Sequence, residues 1–311
     1  MVMQNLYISN FSKLLFKIII PYFVVILIIG FIINYSFEKF IIFKSEISGA
    51  YKVNRILNYS FEKETIIVGS SRARGGIVPE IVGNNVFNYG IDGTGYNYIN
   101  FVLHKELNKR KKTPIIIVLD YEWDKLGIGE TQYYIPNSNN PFVSKLFKDR
   151  FSFYHYIPFF KYFGYYEDNT KYFINNQINL SKYNNNGGSF ELFKNPEDLF
   201  NLFVKDRQKN KLYFTGNNIT VFDSLVKSTK RDILIAILPY HKSYLESIVN
   251  KNDIESFKDS LLKYENITLF DYSKLELNDS LYFNTTHLNY DGAKHVSMKF
   301  RKDLDSLNIH L

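Results

Sequence analysis

The sequence predicts an α/β fold in which about five parallel strands form one sheet, preceded by an apolar helix long enough to cross a membrane. Three observations lead there. Residues 65–68, 115–119, 233–238 and 267–270 are short, apolar and rich in β-branched side chains, the composition of strands buried on both faces. Stretches with helical spacing separate them, as crossovers between parallel neighbours require. The third observation is the charge-free run IIIPYFVVILIIGFII from Ile18 to Ile33.

With Leu14 to Phe16 and a snorkelling Lys17, that run matches a hydrocarbon core of ~30 Å. Lys13 and Lys17 precede it and no small-residue cleavage site follows closely. Residues 1–35 are therefore expected to be a cytoplasmic stub and an uncleaved signal anchor of a bacterial membrane, with the rest of the chain extracytoplasmic. Residues 36–64 are expected to be a connector, with a helical stretch around Tyr51 to Phe61, and residues 65–311 the main domain.

The first strand runs into Gly69-Ser70-Ser71-Arg72. A glycine before a turn lets the chain bend sharply, and Ser71 would arrive at the carboxyl edge of the sheet, where open α/β folds place ligands. The same tripeptide also reads as an ordinary strand-to-helix turn with an N-cap serine. Gly75, Gly76 and Pro79 limit any following helix to a short one. A second strand at residues 85–88 ends in Asn88-Tyr89-Gly90-Ile91-Asp92-Gly93, after which Ile99, Val102, Leu103 and Leu107 recur at helical spacing. His104 sits beside that stripe and reads as structural. The third strand leads into Asp120-Tyr121-Glu122-Trp123-Asp124.

Residues 125–225 lose the alternation and are rich in Tyr, Phe and Asn. They read as a mostly helical or irregular insertion: a lid with aromatic faces for sugar rings, or a locally packed subdomain whose aromatics are core. The fourth strand ends at Pro239-Tyr240-His241, and helical spacing resumes around Tyr244 to Val249 and again around Ile254 to Leu261. The fifth strand ends at Asp271. A closing helix carries Ala293, Val296, Phe300 and Leu304, preceded by Asn284-Thr285-Thr286-His287. A histidine on a turn with a short polar side chain three residues earlier is how a base and its orienting partner share one loop.

Ser71, the 88–93 block and the segment 282–293 resemble, in that order, the blocks of the SGNH (GDSL-like) hydrolase family. The resemblance implies a three-layer, flavodoxin-like fold with Ser71 as nucleophile and His287 as base. Asn284 then stands where the family has aspartate, and the N–H groups of Ser71 and Gly93 form the oxyanion hole. Arg72, Glu122 and His241 lie where substrate contacts are expected. The third-block asparagine is not recognisable here. Asn284 brings no negative charge, which leaves three arrangements open: His287 oriented by a backbone carbonyl, a substitute carboxylate such as Asp279, or a pseudoenzyme.

An N-terminal span before such a domain is similar to proteins of teichoic acid D-alanylation and alginate-type O-acetylation. The implied activity is O-acyl transfer to, or ester hydrolysis on, a cell-envelope polysaccharide, beside a multi-spanning membrane acyltransferase. A non-catalytic glycan-binding or complex-assembly role is the alternative. Zero cysteines excludes thiol catalysis, disulfides and cysteine metal sites. The histidines show no metal-ligand spacing, so no metal or other cofactor is expected. The net charge of +7 is spread without a polybasic block, which disfavours nucleic acid as a partner.

Overall fold

The structure is a computed structural model that describes residues 14–122, 127–147, 150–178, 184–190 and 217–311. Five parallel strands form the sheet: β1 (Thr65–Val68), β2 (Val86–Asn88), β3 (Ile115–Leu119), β4 (Ile233–Ile237) and β5 (Ile267–Asp271). Their order is β2-β1-β3-β4-β5, the flavodoxin-like order, whose switch point lies between β1 and β3. The pleat sends successive side chains to opposite faces, so each strand feeds two cores. Ile66, Val68, Ile115, Ile117, Ile233 and Ile235 belong to one. Ile67, Ile116, Val118, Leu234 and Ala236 belong to the other. Apolar residues at every strand position are what this double burial demands, which explains the absence of alternation in the sequence.

Helices cover both faces. On the first lie α1 (Gly49–Asn58), α2 (Tyr96–Glu106) and α3 (Lys251–Leu261), through Val53, Ile56, Ile99, Val102, Leu103, Ile254 and Leu261. On the second lies α4 (Tyr290–Ser306), through Val296, Phe300 and Leu304. The helix after β1, Ser71–Gly76, is one of the short ones the glycines foretell. A Cβ on Gly76 would lie 2.4 Å from Leu238 Cδ1, so a larger residue in this turn would require the Leu238 side chain at the end of β4 to shift.

Within the segment 36–64, expected as a connector, α1 packs on the sheet as part of its first layer. Ser48 caps it by accepting the Tyr51 N–H at 3.1 Å. Its Val53 and Ile56 are fully buried in the sheet core, and Lys52 is buried with its ammonium 2.6 Å from the Gly90 carbonyl. The sequence hid this because α1 is polar on its outer face and short.

The N-terminal helix is continuous from Leu15 to Phe40, its first turn being of π type. It is long and apolar enough to cross a membrane, with a mean hydropathy of 2.7, and within Ile20–Phe40 only Gly30 and Asn34 are buried. Lys13 and the rest of the expected cytoplasmic stub lie outside the described residues. The described parts of the insertion go to different places. Tyr133, Tyr134 and Phe147 join the first core. Residues 157–166 pack on the N-terminal helix, where Glu38 accepts hydrogen bonds from Lys161 and Tyr162. The short antiparallel pair Asn184–Asn185 and Gly188–Ser189 closes on β2, where Asn186 accepts the Asn88 N–H at 2.8 Å.

Candidate active site

The site lies at the carboxyl edge of the sheet, beside the switch point. Gly69 opens it, for a Cβ there would lie 2.7 Å from the Val118 carbonyl oxygen. Glycine thus lets β1 turn hard against β3. Ser70 then caps the short helix, accepting the Arg72 N–H and donating to Asp120 Oδ2, both at 3.1 Å. With Ser70 held inside, the first helical residue, Ser71, points the other way and remains half-buried. Its Oγ lies 2.7 Å from His287 Nε2.

His287 comes from a loop closed by backbone. Tyr282 and Leu288 form an isolated bridge, and the Phe283 N–H reaches the His287 carbonyl at 2.9 Å. Behind it Asn289 caps α4 by accepting the Gly292 N–H at 3.0 Å. Within the loop Asn284 Oδ1 accepts the N–H groups of Thr286 and His287 at 2.9 and 2.8 Å. Only an oxygen can accept them, so the orientation of the amide is fixed by backbone donors. The same oxygen lies 3.0 Å from His287 Nδ1, as does Thr286 Oγ1. Nδ1 therefore carries the proton and donates, which leaves Nε2 an acceptor facing the serine hydroxyl.

Of the three arrangements left open, the geometry departs from two, the backbone carbonyl and the substitute carboxylate: the amide oxygen of Asn284 stands at Nδ1. Asp279 is engaged elsewhere, 3.2 Å from His241 Nε2. Burial, followed by the charges of Arg72 and Arg74, pushes the His287 pKa down to about 4, against opposing contributions from Asp120 and Asp92. The imidazole is consequently neutral, the form a general base needs.

The 88–94 loop lies alongside. The Ile91 N–H and Thr94 hydroxyl reach the Gly69 carbonyl at 3.1 and 3.2 Å, and Arg74 pairs with Asp92 at 2.6 Å. Gly93 is exposed at its tip with φ +65° and nothing within 4 Å of where a Cβ would stand. The structure thus brings Ser71, His287 and Asn284 into one hydrogen-bonded chain and sets the Gly93 loop against the serine turn.

The remaining expected residues are differently placed. Arg72 is buried, donating to the carbonyls of Thr286, Leu238 and Pro239 and lying 3.6 Å over the Tyr240 ring. These bonds join the serine turn to the end of β4 and the histidine loop. His241 is likewise buried and internal. It caps the helix Lys242–Ser247, contacts Ser243 and Asp279, and its N–H holds the Thr285 carbonyl at 3.0 Å. Glu122 is half-buried in the turn after β3, its N–H donating to Asp120. Trp123 and Asp124 lie outside the described residues. Three contributors escaped the sequence reading: Thr286, Asp120 and Lys52. The first two adjoin residues that were singled out; Lys52 had no signal, being on a helix taken for a connector. A separate cavity of about 440 Å³ opens beyond the Thr94–Gly127 bridge, between Phe101, His104, Phe142 and Leu225.

No protein-family profile matches this chain, and no curated protein matches it. Solved structures do. One, provisionally described as a platelet activating factor from Streptococcus pneumonia, aligns at 12% identity and a TM-score of 0.42, over 89% of this chain and 98% of that one. Another, a gut microbial diltiazem-metabolizing enzyme, aligns at 13% identity and a TM-score of 0.38, over 79% of this chain and 48% of that one.

Proposed function

We propose that the protein is a membrane-anchored serine esterase or O-acyltransferase of SGNH type, acting outside the cytoplasm on acyl esters of a bacterial envelope polysaccharide. The observation that carries this reading is the 2.7 Å contact between Ser71 Oγ and a His287 Nε2 left free to accept. In the reaction Ser71 Oγ attacks the acyl carbon while Nε2 takes its proton. The oxyanion is held by the N–H groups of Ser71 and Gly93. His287 then protonates the departing alkoxide, leaving the acyl group on Ser71 Oγ. The oxygen of a second hydroxyl, from water or a sugar, attacks that acyl carbon as Nε2 takes its proton, the acyl–Oγ bond breaks, and Nε2 returns the proton to Ser71 Oγ. A multi-spanning acyltransferase beside the anchor would supply acyl groups across the membrane.

Asn284 bears on rate. In the serine-protease triad, aspartate to asparagine lowers kcat by about 10⁴ because the amide imposes the wrong imidazole tautomer. Here two backbone N–H groups fix the amide oxygen toward Nδ1, so the tautomer is the productive one. What is missing is the negative charge that would stabilise imidazolium.

That missing charge also favours the second reading, a non-catalytic envelope component that binds a glycan or a partner protein in the same cleft. A fluorophosphonate probe separates the two. The full chain in detergent is expected to label at Ser71, Ser71→Ala to lose all labelling, and His287→Ala to slow it by about 10²–10⁴. Surface polysaccharide from a dependent strain carrying Ser71→Ala is expected to lose acyl esters. Absence of labelling, with ester content unchanged by Ser71→Ala, would sink the catalytic reading in favour of the second.

A further inference from the structure

Ten of the sixteen residues from Phe151 to Tyr166 are aromatic and none is acidic. Part of this segment is bolted to the N-terminal helix. A Cβ on Gly30 would lie 2.6 Å from both Phe159 and Pro158, Asn34 accepts the Tyr166 hydroxyl at 3.2 Å, and Glu38 accepts Lys161 and Tyr162 at 2.6 Å each. Phe159 holds a left-handed backbone, φ 67°, an unfavourable conformation for a bulky residue. Packing on Gly30 and a hydrogen bond from Tyr166 to its carbonyl at 3.1 Å keep it there.

The other aromatics face outward. Phe153, Tyr156, Phe160 and Phe163 are 77%, 49%, 51% and 65% exposed. Phe153 touches Tyr154, Tyr154 touches Phe163, and Phe163 touches Phe160, with centroids 6.1 to 6.5 Å apart. This is one continuous apolar patch of a kind that marks an interaction surface.

The register of the helix says what covers it. The apolar run ends at Ile33, before Asn34, and the first charge beyond is Glu38, so the hydrocarbon boundary falls between Ile33 and Glu38. Gly30, the seat of Phe159, lies three residues deeper, about 4.5 Å at 1.5 Å per residue. The patch therefore stands at the level where aromatic side chains collect at a membrane surface. Resting on the reading of Leu15–Phe40 as a membrane span, we propose that residues 153–163 form an interfacial shelf whose exposed aromatics sit in the headgroup and upper acyl region of the bilayer. The shelf fixes the tilt of the sheet, and hence of the Ser71 edge, relative to the membrane.

The chain has no cysteine, so single-cysteine variants Phe160→Cys, Phe163→Cys, Ile26→Cys and Met298→Cys of the full protein can each carry one fluorophore. Met298 is exposed on α4, which covers the opposite face of the sheet. Each variant, checked for native circular dichroism, is placed in phosphatidylcholine vesicles doped with lipids bearing a nitroxide near the headgroup or near the chain end. At 160 and 163 the shallow nitroxide is expected to quench more than the deep one, at 26 the reverse, and at 298 neither. Quenching at 26 with 160 and 163 as accessible to a water-soluble quencher as 298 would overturn the shelf and leave the anchor standing. Shielding at 160 and 163 from water and nitroxide lipid alike would assign the patch to a second copy of the chain. Loss of deep quenching at 26 would remove the anchor and the shelf together.

Discussion

His287 is the residue whose environment decides the most. It must be neutral to accept the Ser71 proton, and burial with two neighbouring guanidinium groups pushes its pKa to about 4. Rate therefore falls only as pH drops through about 4, and kcat/KM for an acyl ester is expected to stay level from neutrality to about pH 5. The same environment makes the imidazolium of the transition state costly, because among the described residues nothing anionic hydrogen-bonds Nδ1. Asn284→Asp supplies that charge in the same position. It is expected to raise the pKa toward the usual histidine value and to increase kcat about tenfold, one pH unit corresponding to about 1.4 kcal/mol. The pH–rate profile of both forms checks this; an acid limb that does not move would remove Asn284 from the orienting role. Asn284→Ala, which leaves Nδ1 without its acceptor, is expected to reduce kcat by about 10² or more without a matching change in KM.

Helix α1 illustrates how an element serves the site without lining it. Its Lys52 reaches through the first core to the carbonyl of Gly90, in the loop that carries Gly93. Burial, with the charge of Arg74, lowers the Lys52 pKa from 10.5 to about 7, against a smaller opposing effect of Asp92. Between those two values the unfolded chain binds the proton and the folded one does not. Stability gained from this group is thus complete above pH 10.5 and lost as pH falls toward 7. Lys52→Met is expected to abolish this part of the rise, read as the difference between the two proteins' urea midpoints across pH 7 to 10. Parallel midpoints would mean that the ammonium is not buried. The short helix Ser71–Gly76 serves in a different way: Ser70 and Arg72 are tied inward, so Ser71 is the one left facing the histidine.

At the scale of the whole molecule, the sheet, α1 and the N-terminal helix form a graded assembly. Val53 and Ile56 are each worth about 1.5–3 kcal/mol on burial, against a total stability of about 5–15 kcal/mol for a domain. A chain beginning at Ser45 retains α1 and its cap and is expected to unfold in one cooperative transition. One beginning at Thr65 loses Val53 and Ile56 and exposes the part of the first core that α1 covers, and is expected to show none by circular dichroism on heating. Equal behaviour of the two would return 36–64 to the status of a connector. The five strands were legible because parallel sheets are apolar at every position, and the closing helix because Ala293, Val296, Phe300 and Leu304 keep one face. The insertion was not, since aromatic residues spaced without period look alike whether they fill a core, as Tyr134 and Phe147 do, or stand outside it, as Phe160 and Phe163 do.

The sequence by itself determined the strands, the apolar span and the pairing of Ser71 with His287 as candidates, because each rests on local composition or on the order of short blocks. Tertiary structure alone decided that Asn284 presents its oxygen to the imidazole, that Asp279 serves His241, and that Arg72 ties the serine turn to the end of β4. Those outcomes depend on which donors and acceptors meet, at separations of 3 residues for Asn284 and His287, 38 for His241 and Asp279, and 166 for Arg72 and Leu238. Hydrogen bonds have direction, and direction is set only when the backbone of both partners is in place.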